Sequence, residues 1–209
     1  MNEKQINSIK AFNSSVSQYE KTISKLENYN HTYDFLLNII EDESQVLDLA
    51  CGPGNISSYL CAQKNLHITG YDLSEEMLRA AEHKLPHGKF YNKSIIDFTE
   101  KQIYDVVVNG FGLPFLDESQ MIESIQSSYK VLKSNGIFFL SFMKGEGSCL
   151  EKPSFNKEAE ILFYYHKEES VITILNDVGF SILKKWNLEY LENDGSVTTD
   201  LVIICKKTH

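Results

Sequence analysis

The chain contains a single arginine, Arg79, among 20 basic residues, against 29 acidic ones, for a net charge of −9. Tight nucleic-acid binders neutralise phosphates with clustered basic charge, and arginine is their preferred fork. The shortage disfavours DNA, RNA and anionic membranes as principal partners. No apolar run approaches the roughly 20 residues of a membrane span. The first residues, MNEKQINSIKAFNSS, have no apolar centre and do not read as a signal peptide. The four cysteines, Cys51, Cys61, Cys149 and Cys205, are scattered and form no C-x-x-C pair. That argues against a zinc site or a disulfide framework, so no metal is expected. Reduced thiols and a cytoplasmic location are the expectation. No internal repeat or low-complexity tract is visible.

What is present is ordinary for a globular domain. The chain has 209 residues, 42% hydrophobic and 11% aromatic, enough for one domain with a real core. Residues 3–40 read as helical. Phe12, Val16, Tyr19, Ile23 and Leu26 recur at spacings of three or four, which predicts one amphipathic helix. A second, from about Thr32 to Ile40, follows the polar break ENYNH. From Gln45 strands and helices alternate. Strands are predicted at Val46–Leu49, Leu66–Tyr71, Lys89–Asn92, Tyr104–Asn109 and in GIFFLSFM after the turn Ser134-Asn135-Gly136. Helices are predicted at Ile56–Gln63, Ser74–Lys84, Glu118–Leu132 and Glu168–Val178. Ser74 reads as an N-cap, and Gly179 closes the last helix.

Such alternation implies an α/β, Rossmann-like doubly wound sheet, mostly parallel, with helices on both faces. Ile182–Leu191 and Thr198–Lys206, joined through Asp194-Gly195, predict a C-terminal antiparallel hairpin as its last two of seven strands. The intervening stretch from Lys144 to Tyr165 is aromatic and reads as an irregular insertion over one end of the sheet.

The informative stretch is VLDLACGPGNISSYL, where a buried strand runs into two glycines and a helix. In parallel α/β sheets ligands bind outside the carboxyl ends of the strands. Glycines let the backbone approach a ligand closely. Asp72 ends the next strand, 18 residues beyond Gly54, where a carboxylate can accept the hydroxyls of a ribose. The dinucleotide fingerprint G-x-G-x-x-G/A is not met, because Ser57 holds the third small position. Asp48 would face a pyrophosphate unfavourably and suits an ammonium group. A phosphate-binding P-loop is absent. Cys51 reads as a small packing residue, with no base partner to make it a nucleophile.

LDLACGPGNIS resembles motif I of the class I S-adenosylmethionine-dependent methyltransferases. ITGYDLSEEML, YDVVVNGFGLPFL, VLKSNGIFFLSF and LNDVGFSILK are similar to that superfamily's later elements, so the resemblance covers about Tyr33 to Lys206. It implies one domain over residues 1–209: a helical lid (1–40), a cofactor-binding core (45–143), a cap insertion (144–165) and a C-terminal helix and hairpin (166–209). It implies S-adenosylmethionine as methyl donor, with S-adenosylhomocysteine as product. Asp48 would organise the loop and hold the cofactor's ammonium. Ala50, Gly52 and Gly54 would contact its methionine part. Asp72 would take the ribose hydroxyls, Leu73 and Ile95 would sandwich the adenine, and Met77 is placed with them. Asn109 would line the sulfonium end, with Gly110 and Phe111 shaping the transfer side. The family often has an acid after strand three for the adenine amino group. Here Ser94 stands there, with Asp97 as a possible substitute.

The sequence does not name a catalytic base. Asn109, His166 and Tyr19 are the candidates, though His166 reads first as a surface histidine starting a helix. Tyr19 resembles the lid tyrosine of small-molecule members. The covering segments carry Phe12, Tyr19, Tyr33, Phe155, Phe163, Tyr164 and Tyr165, which suit a small organic acceptor or simple packing. The Asn/Asp-Pro-Pro-aromatic motif of DNA amino-methylation is missing after Asn109. The expected protein is therefore a methyltransferase acting on a small molecule, as a monomer or homodimer. A cofactor-binding regulator, a protein acceptor and an NAD-binding oxidoreductase stay open as alternatives.

Overall fold

The computed structural model describes residues 3–23, 27–96, 98–99, 103–191 and 197–208. Its main sheet is built from β1 (Gln45–Leu49), β2 (His67–Asp72), β3 (Lys89–Asn92), β4 (Tyr104–Asn109), β5 (Leu132–Met143), β8 (Phe180–Leu191) and β9 (Val197–Lys207). The strand order is β3-β2-β1-β4-β5-β9-β8. The first five are parallel neighbours; β9 runs antiparallel between β5 and β8. This is the expected seven-stranded α/β sheet with its antiparallel end. The turn at Asp194-Gly195 lies outside the described residues.

The central strands are apolar at successive positions because both faces of the sheet are covered. Leu47, Leu49, Val107, Phe138 and Leu140 join one core with Met121 and Ile125 of α6 (Glu118–Val131) and Val171 and Leu175 of α7 (Glu168–Val178). Val46, Val106, Val108 and Phe139 join the other, with Leu36 of α3 (Asn30–Ile39) and Leu60 of α4 (Asn55–Cys61). Ser74 caps α5 (Glu75–Lys84) by accepting the Met77 N–H. Asp117 and Gln120 form a reciprocal capping box on α6.

Three local expectations change. The single long N-terminal helix is two, α1 (Glu3–Asn13) and α2 (Val16–Ile23). The break falls at Ser14 and Ser15, where the Ser14 hydroxyl donates to the Ala11 carbonyl and a new helix starts with Tyr19 N–H on Ser15. Small hydroxyl residues compete for backbone groups and favour such breaks. Leu26 lies outside the described residues. The Ser134-Asn135-Gly136 turn does not precede β5 but bulges within it: Tyr104 pairs Leu132, then Val106 pairs Ile137. Asn135 takes a left-handed φ of 65° there. Finally, the insertion is not irregular. Its β6 (Gly147–Glu151) and β7 (Ile161–Tyr165) pair as a two-stranded antiparallel ribbon.

Candidate functional site

The strand ends decide where the site forms. β1, β2 and β4 finish side by side, and the chain leaving β1 must turn sharply to enter α4. Ala50, Gly52 and Gly54 all take left-handed φ values, of 53°, 52° and 75°. Two of these positions are glycine, which adopts that region without steric cost; Ala50 does so at some expense. The loop is held by Cys51 N–H on the Tyr71 carbonyl and Gly54 N–H on the Cys51 carbonyl. Gly52 also donates to Asp72 Oδ2 at 2.8 Å, while Ser74 N–H donates to Asp72 Oδ1 at 2.8 Å. Asp72 thus ties the glycine loop to the start of α5. Each of its oxygens keeps acceptor capacity beyond that one bond.

Two cavities meet over these ends. One, of about 450 Å³, is lined by Gly52, Asp72, Leu73, Met77, Ser94 and Ile95, with Lys93, Phe115 and Tyr164 around them. The other, of about 470 Å³, is lined by Asp48, Cys51, Gly110, Tyr33, Tyr59 and Glu27, among others. Tyr19, Ala50 and Phe111 line both. Each volume lies within the range of small-ligand sites. Of the expected residues, Asp48, Ala50, Gly52, Asp72, Leu73, Met77, Ser94, Ile95, Tyr19, Gly110 and Phe111 therefore border one cavity or both.

Three do not. Gly54 is the corner before α4; a side chain there would meet Ala81 Cβ at 3.4 Å, so it serves packing against α5. Asn109 is fully buried, with Nδ2 on the Ser124 hydroxyl at 3.4 Å and Oδ1 without a partner. Its Nδ2 is turned to α6, while its Oδ1 lies behind Gly112, whose added Cβ would stand 2.2 Å from it, so it backs the wall of the first cavity without lining it. His166 is buried, not the surface residue its helix-start position suggests. Its Nε2 lies 3.2 Å from the Leu113 carbonyl, and burial holds its pKa below the usual histidine value. Asp97 lies outside the described residues. The Ser94 hydroxyl already accepts the Ile96 N–H at 3.2 Å.

Electrostatics follow burial. Asp48 is 2% exposed, and desolvation pushes its carboxyl up to about 7, against the hydroxyl and N–H of Ser57, which favour the anion. The Ser57 hydroxyl sits at 2.5 Å from Oδ2. Ser57 thus supports Asp48, besides blocking a dinucleotide fingerprint. Burial raises Asp72 too. Burial and then the Asp72 and Asp48 charges raise Tyr19, which stays protonated. Burial drives the Cys51 thiol well up, which makes it inert, as a packing residue should be.

Tyr19 crosses the glycine loop: a Cβ on Gly52 would stand 3.8 Å from its Cε1. Phe12 and Phe155 stack on each other at 5.1 Å and each meets Tyr19 edge-on. Asn13 Oδ1 accepts from the Ser74 hydroxyl at 2.7 Å, joining α1 to α5. Of the covering aromatics, Phe12, Tyr19, Tyr33 and Tyr164 border the cavities. Phe163 packs on Phe115, and Tyr165 bonds Glu151. Sequence reasoning missed Tyr59, Lys93 and Glu27. Lys93 carries its Nζ over the Tyr71 ring at 4.8 Å, a contact invisible in one dimension. Tyr59 lies one turn beyond Ile56, and that periodicity marked the helix face.

Residues 46–136 match the family described as "Methyltransferase domain". The Bacillus subtilis (strain 168) protein YqeM, which carries a methyltransferase name, is 30% identical over 72% of this chain and 64% of its own. The demethylmenaquinone methyltransferase of Chlorobaculum parvum is 31% identical over 48% of this chain and 41% of its own. The chain thus spans less than two thirds of the length of these curated relatives. Among solved structures, the 1,6-didemethyltoxoflavin-N1-methyltransferase of Burkholderia thailandensis superposes with a TM-score of 0.72. It is 16% identical, covering 98% of this chain and 88% of that one, and it was crystallised with 1,6-didemethyltoxoflavin and S-adenosylhomocysteine.

Proposed function

We propose, from the methyltransferase-domain match over residues 46–136 and the likeness to YqeM, that this chain is a class I S-adenosylmethionine-dependent methyltransferase that transfers the methyl group to a small organic molecule. The observation that carries the reading is the pair of cavities joined at Tyr19, Ala50 and Phe111. A nucleoside fits the first: Asp72 has acceptor capacity left for ribose hydroxyls, and Leu73, Met77 and Ile95 offer apolar surface to a base. The amino-acid part fits the junction, where Gly52 leaves the backbone open and Asp48 offers a buried carboxylate. The acceptor then belongs on the far side of Tyr19 and Phe111.

The cofactor supplies an activated methyl group on a positively charged sulfur. What the chain supplies is alignment and exclusion of water. In this proposal α1, α2 and the β6–β7 ribbon act as lid and cap. α1 and β7 line the first cavity and Tyr19 of α2 lines both; a second cavity of about 470 Å³ suits a small acceptor better than a docked protein. All four cysteines are free thiols, which fits the cytoplasmic location proposed with this activity. Among the described residues no helix is long and apolar enough to cross a membrane.

The test is calorimetric titration of S-adenosylhomocysteine into the protein and its Asp72→Ala variant. Loss of both ribose bonds should weaken binding at least about tenfold, since hydrogen bonds to charged groups contribute roughly 1.5–3 kcal/mol each. Unchanged affinity would remove Asp72 from the nucleoside site.

A further inference from the structure

The chamber beside Asp48 has an imbalance of charge. Two carboxylates line it, the buried Asp48 and the exposed Glu27. Lys84 is the one cation among the described lining residues, and it is already matched. Its Nζ lies 2.9 Å from Glu20 and donates to Asn55 Oδ1 at 2.6 Å. Glu27 has no ion pair among the described residues. If Asp48 serves the cofactor's ammonium, one carboxylate remains for something else.

The walls carry the second part of the argument. Tyr33 and Tyr59 face one another with ring centroids 5.3 Å apart and planes at 58°. The Tyr59 hydroxyl is turned outward onto Asp34 at 2.8 Å, which leaves its ring, not its oxygen, as the wall. Phe111 also lines it, its N–H held by the Ser141 hydroxyl at 3.0 Å and its ring edge-on to Tyr29 at 4.8 Å. Aromatic faces carry negative potential and attract cations within about 6 Å of the centroid. Carboxylates and ring faces therefore outweigh the chamber's one described cation, Lys84, which is itself paired with Glu20. A carboxylate or phosphate acceptor would enter it with no described cation free to receive it, at the cost of desolvating an unpaired anion.

We propose that the Asp48–Glu27 chamber, walled by Tyr33, Tyr59 and Phe111, takes a small amine as the methyl acceptor. The proposal rests on the methyltransferase reading above. The amine binds as its ammonium and reacts as its free base after giving one proton to a carboxylate or to water. Its nitrogen lone pair then forms the new N–CH₃ bond as the C–S bonding pair returns to sulfur. The positive charge thus moves from sulfur to nitrogen, inside a chamber that favours it there. With Asp48 engaged by the cofactor's ammonium, the released proton goes to Glu27 or to water.

Three isosteres separate the charge classes: phenethylamine, phenethyl alcohol and phenylacetate. Each is titrated into the protein alone and into its S-adenosylhomocysteine complex, followed by ligand-observed NMR. The amine is expected to bind at least about tenfold tighter than phenylacetate, and the preference to fall with added salt. Glu27→Gln should reduce that preference severalfold and Glu27→Lys should abolish it, while S-adenosylhomocysteine affinity stays within about twofold in both. Equal or tighter binding of phenylacetate, or a preference indifferent to both substitutions, would overturn the proposal. Failure of S-adenosylhomocysteine to bind, with the amine preference intact, would instead count against the methyltransferase reading and leave the chamber's selectivity standing.

Discussion

Asp48→Asn offers a quantitative test of the buried carboxylate. Asp48 is 2% exposed, and its pKa in the fold is about 7 against an ordinary 3.8. For an acid whose folded pKa is raised, the fold favours the neutral form. Stability is then full below pH 3.8, falls as pH rises towards 7, and levels off above it. That upward shift corresponds to about 4 kcal/mol lost at pH 8, and about 2 kcal/mol at pH 5. Asparagine carries no charge and can still accept the Ser57 hydroxyl bond now made at 2.5 Å. Urea unfolding at both pH values should therefore show the variant gaining on the parent by about 2–3 kcal/mol between pH 5 and pH 8. Binding should move the other way. S-adenosylhomocysteine should bind the parent more tightly as pH rises through 7, because the ammonium meets an ionised partner. The variant should show no such rise. Parallel pH profiles for parent and variant, in stability and in binding, would refute the reasoning.

Gly110→Ala would place a Cβ 2.2 Å from Ile56 Cδ1. It should cost about 1–3 kcal/mol by overpacking, and Ile56→Val in the same chain should return part of that, measured by urea unfolding. His166→Phe removes one of two bonds at the Leu113 carbonyl, which keeps the Leu116 N–H at 3.0 Å, and should cost about 1 kcal/mol in urea unfolding. Its S-adenosylhomocysteine affinity, read by calorimetry, should stay within about twofold, because His166 borders neither cavity.

The sheet was legible because its strands are apolar at successive positions and end on glycine, proline or asparagine. Val46–Leu49 and Tyr104–Asn109 show this plainly, and each was placed within a residue. Ser74 and Gly179 were legible as helix ends because capping is a local rule. The Ser14-Ser15 break was not, since periodicity carried the apolar stripe straight across it. Nor was the bulge in β5, because a Ser-Asn-Gly turn reads alike before a strand and within one. In the site, the loop and Asp72 followed from motif spacing, whereas side-chain direction did not. Asn109 ends β4 as expected, yet alternation turns its amide towards α6 and Ser124. His166 sits at a helix start, yet the Leu113 carbonyl draws it inward. Glu27 and Tyr59 reach one chamber from segments about 30 residues apart; the spacing from Ile56 marks the face of Tyr59, but nothing local announces Glu27.

The account rests on the claim that these cavities hold S-adenosylmethionine and not a nicotinamide dinucleotide. Thermal unfolding with saturating S-adenosylhomocysteine, S-adenosylmethionine or NAD tests it directly. A ligand at 100 times its Kd stabilises the fold by about 2.7 kcal/mol, which is a shift of several degrees for a chain of this size. The account predicts that shift with both sulfur ligands and none with NAD. A shift with NAD and none with either sulfur ligand would contradict it.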